Sequence, residues 1–321
     1  MLWYFGFLIW PLIIIELIIF FILRFGPREK YLQIFLSKED FVSQFFFLFS
    51  VFFLGTTLLA FNKDFGEPLS WRTILLLTSI IGLAIAYYFK VIYTLAVSLI
   101  GLVGWWSAQV IEWTLILERT KEVIIKYSAL FFGLSLIAFL FYLIGRFYEK
   151  ERKFKRFGLV YSILGLIFIT GALFLFSTKE GLKLFEDMTK GDLFFASWQI
   201  TLSIFLFFIA LLGMLFYGFS QRFIFSYEAV AILLLIILFG VIALLPEQTM
   251  FLKQRDYYGY YRGGELSSTG ILWAIIFNIL IFLELVGIIF LGYLKRENWL
   301  INLGVFFIFI LIFVKYFDWF F

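Results

Sequence analysis

The sequence predicts an all-α fold, a polytopic integral membrane bundle of about ten spanning helices. Hydrophobic residues make up 64% of the 321 residues, and the mean hydropathy is +1.03, whereas soluble domains are roughly one half apolar. Apolar runs of about 20 residues, the length that spans a bilayer, follow one another from Leu2 to Phe321. The polar breaks between them are too short for a soluble domain. The chain is therefore expected to form a single membrane domain over residues 1–321.

Each predicted span is a near-continuous apolar run. The first run lacks the basic start and the small-residue cleavage site of a secretory signal, so it is predicted to be a span. The third and fourth runs are separated only by a short segment around Lys90. The predicted spans are 2–23, 41–61, 73–89, 91–117, 127–145, 158–177, 193–219, 223–245, 270–294 and 299–321.

Two kinds of local signal accompany these spans. Ser70 and Asn298 precede predicted helices and offer side-chain oxygens that can cap exposed backbone amides. In the connection after the sixth span, Leu182, Phe185 and Met188 share one helical face. That pattern predicts an amphipathic helix at the membrane interface.

Basic residues near the span ends predict the orientation. The segment 146–156 is the densest basic stretch of the chain, and it follows an odd-numbered span, as do Lys295 and Arg296. Lysine and arginine concentrate in cytoplasmic loops. These connections are therefore expected in the cytoplasm and both termini outside, in a multi-pass protein of the inner (plasma) membrane.

The chain has no cysteine and no histidine. These absences exclude disulfides, thiol and histidine catalysis, histidine-ligated haem and the usual zinc and copper sites. No Walker motif and no Gly-x-Ser-x-Gly elbow occurs, so the sequence predicts neither a cofactor nor an enzyme. The formal net charge of +4 is too small to indicate nucleic-acid binding. The expected partners are the lipid bilayer and other membrane-protein subunits.

Two carboxylates and an amide lie inside predicted spans. With the orientation above, Glu16 and Glu284 both fall in the inner half of the bilayer, where a carboxylate costs roughly 2.5–3.5 kcal/mol on insertion scales. Asn278 lies in a small-residue stripe with Gly270 and Ala274. One hypothesis is a proton or cation site built from both carboxylates. The alternative is two neutral acids, each bonded to a neighbouring hydroxyl or carbonyl, that tie helices together.

A second polar constellation lies near the end of the fourth predicted span. Trp105, Gln109 and Glu112 follow at helical spacing on one face, beside Trp106. Close-packing positions are offered by Gly101 and Gly104, and by Gly104 and Ala108. This face could form the floor of a pocket for an amphiphile or a quinone-like headgroup. The alternative is an aromatic belt with an acid that reaches the interface, and the belt is favoured.

The connection 246–268 is long, polar and aromatic. It contains Arg255, Tyr257, Tyr258 and Arg262, and tyrosine with arginine is a favoured composition for contact surfaces. The segment is a candidate for binding a partner or a lipid headgroup. The alternative is an interfacial hairpin whose tyrosines lie at the headgroup level.

The last predicted span reads as Asn-Leu-Gly, an apolar run, and then a basic residue followed by Tyr-Phe-Asp. The positions are Asn302, Leu303, Gly304, Lys315, Tyr316, Phe317 and Asp318. This pattern resembles the last helix of the bacterial membrane proteins grouped as domain of unknown function 2157. The resemblance implies a multi-pass inner-membrane fold and brings no established activity.

Together these features predict a binding or scaffolding component of a membrane assembly. The alternative is a small-solute or proton-coupled transporter that uses Glu16 and Glu284, and a lipid-modifying enzyme comes third. A water-filled cavity that reaches both carboxylates would favour transport. A closed core with a lipid-facing groove would favour binding.

Overall fold

The computed structural model describes residues 41–121, 128–151, 154–189, 197–252 and 266–320. These residues form ten α-helices and no β-strand, and one isolated antiparallel bridge joins Phe251 to Leu266. The predicted all-α fold is confirmed. The helices are α1 (Phe41–Asp64), α2 (Trp71–Phe89), α3 (Ile92–Lys121), α4 (Ser128–Lys150), α5 (Lys155–Phe176), α6 (Lys179–Thr189), α7 (Trp198–Ser220), α8 (Ser226–Leu244), α9 (Ser268–Lys295) and α10 (Asn298–Phe320).

Nine of the ten described helices are long and apolar enough to cross a membrane. They coincide with the second to tenth predicted spans, and their ends differ from the predicted ends by a few residues. The exception is α6, which has only 11 residues. The first predicted span, 2–23, lies outside the described residues.

The shortest break between two spans is a tight turn at Lys90. This residue adopts the left-handed conformation, with a φ of 59°, and the N–H of Val91 donates to Ala86 O at 3.0 Å. A left-handed residue of this kind ends a helix and redirects the chain. At the other end of α2, the N–H of Thr73 donates to Ser70 Oγ at 3.3 Å, so the predicted cap is confirmed.

The chain divides into two compact units. Unit 1 comprises Met1–Glu112 together with Ile144–Tyr161, and unit 2 comprises Trp113–Leu143 together with Ser162–Phe321. The boundaries fall inside α3, α4 and α5. The prediction of one domain over residues 1–321 stays a prediction.

In unit 1, α2 and α3 pack through two reciprocal serine–glycine contacts. A β-carbon at Gly82 of α2 would lie 2.2 Å from Ser98 Oγ of α3. A β-carbon at Gly101 of α3 would lie 2.3 Å from Ser79 Oγ of α2. Small residues let spanning helices approach closely, and the predicted packing role of Gly101 is confirmed. A β-carbon at Gly104 would meet only Leu75 Cδ2, at 3.9 Å, so the close packing predicted at Gly104 is not found there, and that at Ala108 stays a prediction.

Three tyrosine hydroxyls meet in unit 1. Tyr87 Oη lies 3.0 Å from Tyr161 Oη and 3.2 Å from Tyr148 Oη. The rings of Phe154 and Phe157 contact the ring of Tyr87. Because buried hydroxyls require hydrogen-bond partners, this cluster ties the end of α2 to the turn between α4 and α5.

In unit 2, α4 and α5 approach to backbone contact. A β-carbon at Gly165 of α5 would lie 2.6 Å from both Ala138 O and Tyr142 N of α4. Gly292 and Gly304 have the same role between α9 and α10. Each of these helix pairs therefore depends on a residue without a side chain at its point of closest approach.

The short helix α6 packs onto unit 2 through its apolar face. Leu182 and Phe185 are 1% and 0% exposed. The ring of Phe185 contacts the rings of Trp273 and Phe277 on α9. The amphipathic helix was thus predicted correctly, and α9 buries its apolar face. Its predicted place at the membrane interface stays a prediction.

Candidate functional site

Unit 2 contains an apolar groove with a volume of about 390 Å³. It lies between α4 and α5, and Leu184 and Met188 of α6 and Phe239 of α8 complete its wall. Ligand pockets usually have volumes of roughly 300–1,000 Å³. The groove is therefore large enough for a small molecule or for part of a lipid chain.

The lining of the groove is almost entirely hydrocarbon. Among the described residues that line it, Ser135 has the only polar side chain, and Ser135 Oγ already donates to Phe132 O of the same helix at 2.7 Å. A polar solute that entered would lose its hydrogen bonds to water without replacement. An apolar chain makes no hydrogen bonds with water and would therefore lose none on entry. The lining thus favours hydrocarbon over polar solutes.

Gly171 of α5 gives the groove its width. A β-carbon at Gly171 would meet no atom within 4 Å, so a larger side chain there would extend into the groove without displacing protein. The sequence did not identify this position. A glycine in a spanning helix usually marks a helix contact, as Gly165 does on the same helix.

Glu284 of α9 is hydrogen bonded to α5. Thr170 Oγ1 donates to Glu284 Oε1 at 2.8 Å, and Thr170 is fully buried. Glu284 Oε2 is also buried and has no hydrogen-bond partner among the described residues. Neither residue lines the groove. Glu16 lies outside the described residues, so its predicted meeting with Glu284 stays a prediction.

Asn278 serves the packing of three helices. Its Nδ2 donates to Ala274 O at 2.6 Å and to Ser177 O at 3.4 Å. Lys315 Nζ of α10 donates to the same Ser177 carbonyl. The residue that follows α5 is thus bound by both α9 and α10. Asn278 precedes Glu284 by six residues, about 9 Å along the helix axis, so the structure does not bring the two candidate site residues together.

Sequence reasoning missed a buried ion pair in unit 2. Lys295 Nζ of α9 lies 2.5 Å from Glu228 Oε1 of α8, and Tyr142 Oη of α4 donates to the same oxygen at 2.9 Å. The Lys295 ammonium also lies 5.3 Å from the centre of the Phe225 ring, within the range of a cation–π contact. The sequence offered two separate signals: an acid in the first turn of a span, which usually serves the helix start, and a lysine at the end of another span, which usually indicates orientation.

The structure pairs Glu112 of α3 with Arg72 of α2. Arg72 Nη1 lies 2.7 Å from Glu112 Oε2, and the two side chains are 18% and 36% exposed. Trp106 is buried, whereas Trp105 and Gln109 are half-buried. None of the four candidate residues lines the groove. The arginine partner explains how an acid is accommodated at this position.

The remaining candidate contact surface lies in the long connection before α9. Arg255, Tyr257, Tyr258 and Arg262 are outside the described residues, so partner or headgroup binding there stays a prediction. Within the part of the chain that the structure describes, no cluster of three or more acidic, histidine or cysteine side chains could hold a metal ion.

Comparison with known protein families, with curated proteins and with solved structures finds no match to this chain. The resemblance of the last span to the domain of unknown function 2157 proteins stays a prediction. The groove and the buried polar groups are therefore the basis for inferring a function.

Proposed function

We propose that this protein is a non-enzymatic binding component of the inner (plasma) membrane that holds the hydrocarbon chain of a lipid in the groove between α4 and α5. The observation that carries the proposal is the lining of the groove, which is apolar over a volume of about 390 Å³. An apolar cavity of roughly 150 Å³ can hold benzene. The groove therefore has room for a longer stretch of hydrocarbon.

The surroundings of the groove suit an amphiphile. The groove reaches α6, which follows α5 where that spanning helix ends. Leu184 of α6 lines the groove, while Lys179 and Lys183 of the same helix are exposed, and Lys183 pairs with Glu180 at 2.7 Å. A lipid whose chain lay in the groove would have its polar headgroup at the level of this charged helix.

The proposed assembly partners would bind the outer surfaces of α7 and α10. In the most apolar stretch of each helix, only 22% of the residues are buried in α7 and 11% in α10, compared with 67% in α4. Such surfaces are available to lipid or to the helices of another membrane protein. A scaffolding role would use them together with the groove.

Binding is favoured over solute transport at the groove because the groove does not reach a carboxylate. Neither Glu284 nor Thr170 lines it. A carrier that used Glu284 would need a polar route to that side chain. The hydrocarbon lining does not supply one.

Native mass spectrometry of the detergent-purified protein tests the proposal by counting the lipids that each variant retains. The test variant is Gly171→Leu, which fills the groove. The matched control is Gly213→Leu on α7, because a β-carbon at Gly213 also meets no atom within 4 Å and Gly213 does not line the groove. Both substitutions replace an exposed helical glycine by the same residue, so they change helix propensity alike.

We expect the wild type and the control Gly213→Leu to retain a bound lipid, and Gly171→Leu to lose it. A photoreactive phospholipid with a diazirine on its acyl chain should then label α4 and α5 in the wild type but not in Gly171→Leu. Equal lipid retention by all three proteins, or no retained lipid in the wild type, would contradict the proposal.

A further inference from the structure

Glu284 is a buried carboxyl group that the proposed lipid groove does not use. It lies near the middle of α9, and eleven residues, or about 16 Å along the helix axis, separate it from Lys295. An acid at that depth faces the protein interior or water and usually marks a functional site. Its hydrogen bonds show which form of the acid the protein accommodates.

The two oxygens of Glu284 have different surroundings. Oε1 accepts a hydrogen bond from Thr170 Oγ1 at 2.8 Å. Oε2 is buried, and the described residues give it no hydrogen-bond partner. A buried carboxylate requires a cation or several donors shared between its oxygens. One hydroxyl on one oxygen does not meet that requirement, so the neutral acid is the form that fits.

The helices around α9 bring no cation to Glu284 within the described residues. Between Asn298 and Lys315, α10 has no titratable side chain. Lys315 is bound to the Ser177 carbonyl, and Lys295 is bound to Glu228. The other titratable residues on the neighbouring elements of unit 2 are Tyr142 on α4, Lys179, Glu180, Lys183, Glu186 and Asp187 on α6, Tyr227 and Glu228 on α8, Tyr293 on α9, and Tyr316 and Asp318 on α10. The titratable residues of α5 are Lys155, Arg156 and Tyr161, all in its first two turns, which belong to unit 1.

We propose that Glu284 is a proton-binding site, in which the carboxyl group carries its proton on Oε2 and Thr170 positions the group by donating to Oε1. On release, the Oε2–H bond breaks and the proton passes to a water molecule, which leaves a carboxylate on Glu284. Uptake is the reverse step. This site is independent of the lipid groove, and reversible protonation in the middle of the bilayer is what a proton-coupled membrane protein requires.

Infrared spectroscopy of the purified protein in lipid, in H₂O and in D₂O and over a pH series, tests the site. The wild type should show the C=O stretch of a protonated carboxylic acid that shifts in D₂O and disappears reversibly at high pH. Glu284→Gln, which preserves the shape, should lack that band. The matched control is Glu228→Gln: Glu228 is also a buried acid of unit 2, but it is paired with Lys295, so this variant should retain the band.

Variants of Thr170 provide a second measurement, the C=O frequency of Glu284. This frequency would not change if Thr170 only served helix packing. Thr170→Val should raise the C=O frequency of Glu284, because the carbonyl oxygen loses its hydrogen bond, and Thr170→Ser should restore the wild-type frequency. The same band in Glu284→Gln, or no such band in the wild type, would overturn the proposal. A wild-type band that responds to neither D₂O nor pH would also overturn it, since the acid would then exchange no proton. Absence of the band from the wild-type spectrum overturns the proposal even if a variant fails to fold.

Discussion

Lys295 and Glu228 form an ion pair with almost no access to solvent. Their side chains are 7% and 5% exposed, and Lys295 Nζ lies 2.5 Å from Glu228 Oε1. The N–H of Phe225 donates to Glu228 Oε2 at 2.9 Å, so both carboxylate oxygens accept hydrogen bonds. Buried ions are tolerated when the protein satisfies them in this way. The pair joins the last turn of α9 to the first turn of α8.

Removing one member of this pair should destabilise the protein. Lys295→Met leaves the Glu228 carboxylate without its cation, and we expect a loss of about 3 kcal/mol in the free energy of unfolding. The double variant Lys295→Met, Glu228→Gln should recover most of that loss, because no isolated charge remains. A double-mutant cycle measured by denaturation in detergent micelles gives the coupling energy.

The exposed pair on α6 provides the control for that experiment. Lys183 Nζ lies 2.7 Å from Glu180 Oε1, and the two side chains are 49% and 77% exposed. Exposed pairs contribute about 0–1 kcal/mol, so Lys183→Met should hardly change stability. Equal losses for Lys295→Met and Lys183→Met would show that burial does not strengthen the Lys295–Glu228 pair.

Gly165 should not tolerate a methyl group. In Gly165→Ala the new β-carbon would lie 2.6 Å from two backbone atoms of α4, which cannot rotate away, so we expect a loss of about 1–3 kcal/mol. Gly171→Ala on the same helix meets no atom within 4 Å and should gain up to about 1 kcal/mol from helix propensity. The two variants should therefore melt on opposite sides of the wild type. A common melting temperature would mean that α4 and α5 are farther apart than described.

The contacts of Glu228 lead to a prediction about orientation. Because Tyr142 and Lys295 both bind Glu228, we expect Tyr142 of α4, the start of α8 and the end of α9 to lie on one side of the membrane. A reporter that is active only in the cytoplasm should score at Lys150 and Lys295 and fail at Gly259. Activity at Gly259, or opposite results at Lys150 and Lys295, would require a different number of spans.

Lys315 should contribute more to stability than Asp318. The sequence suggests a pair between these residues, three apart on one helical face, and this pair stays a prediction because the Asp318 side chain is outside the described part of the structure. The structure shows Lys315 Nζ donating to Ser177 O at the end of α5. We therefore expect Lys315→Met to lower the melting temperature more than Asp318→Ala, and neither to affect lipid retention. A larger effect of Asp318→Ala would assign the contribution to the pair along α10.

The spanning helices were predictable because the bilayer leaves the backbone few choices. An apolar run of about 20 residues must satisfy its backbone hydrogen bonds internally, and a helix does so. The break at Lys90 was visible for the same reason, since a charged residue interrupts the apolar pattern. The partner of α6 was not visible: the spacing of Leu182 and Phe185 predicts that one face is buried, but not that Trp273 and Phe277 bury it.

The sites were less predictable than the helices. Glu284 could be singled out from its depth in a span, whereas its partner Thr170 is 114 residues away in the sequence. Glu228 and Lys295 are 67 residues apart in the sequence. Taken separately, Glu228 is an acid at the start of a helix and Lys295 is a basic residue that indicates orientation. The groove is a gap between side chains, and no residue type marks a gap. Gly171 beside the groove and Gly165 at a helix contact look the same in the sequence.

The reciprocal contacts between α2 and α3 restrict how this protein can diverge. Ser79 takes the space that a side chain at Gly101 would need, and Ser98 takes the space that one at Gly82 would need. A larger residue at one position of either pair is compatible with the same helix spacing only if its opposite position becomes smaller. We therefore expect each pair to change as a unit among relatives of this chain, with an exchange of serine and glycine between the two helices as the substitution that is accepted most easily.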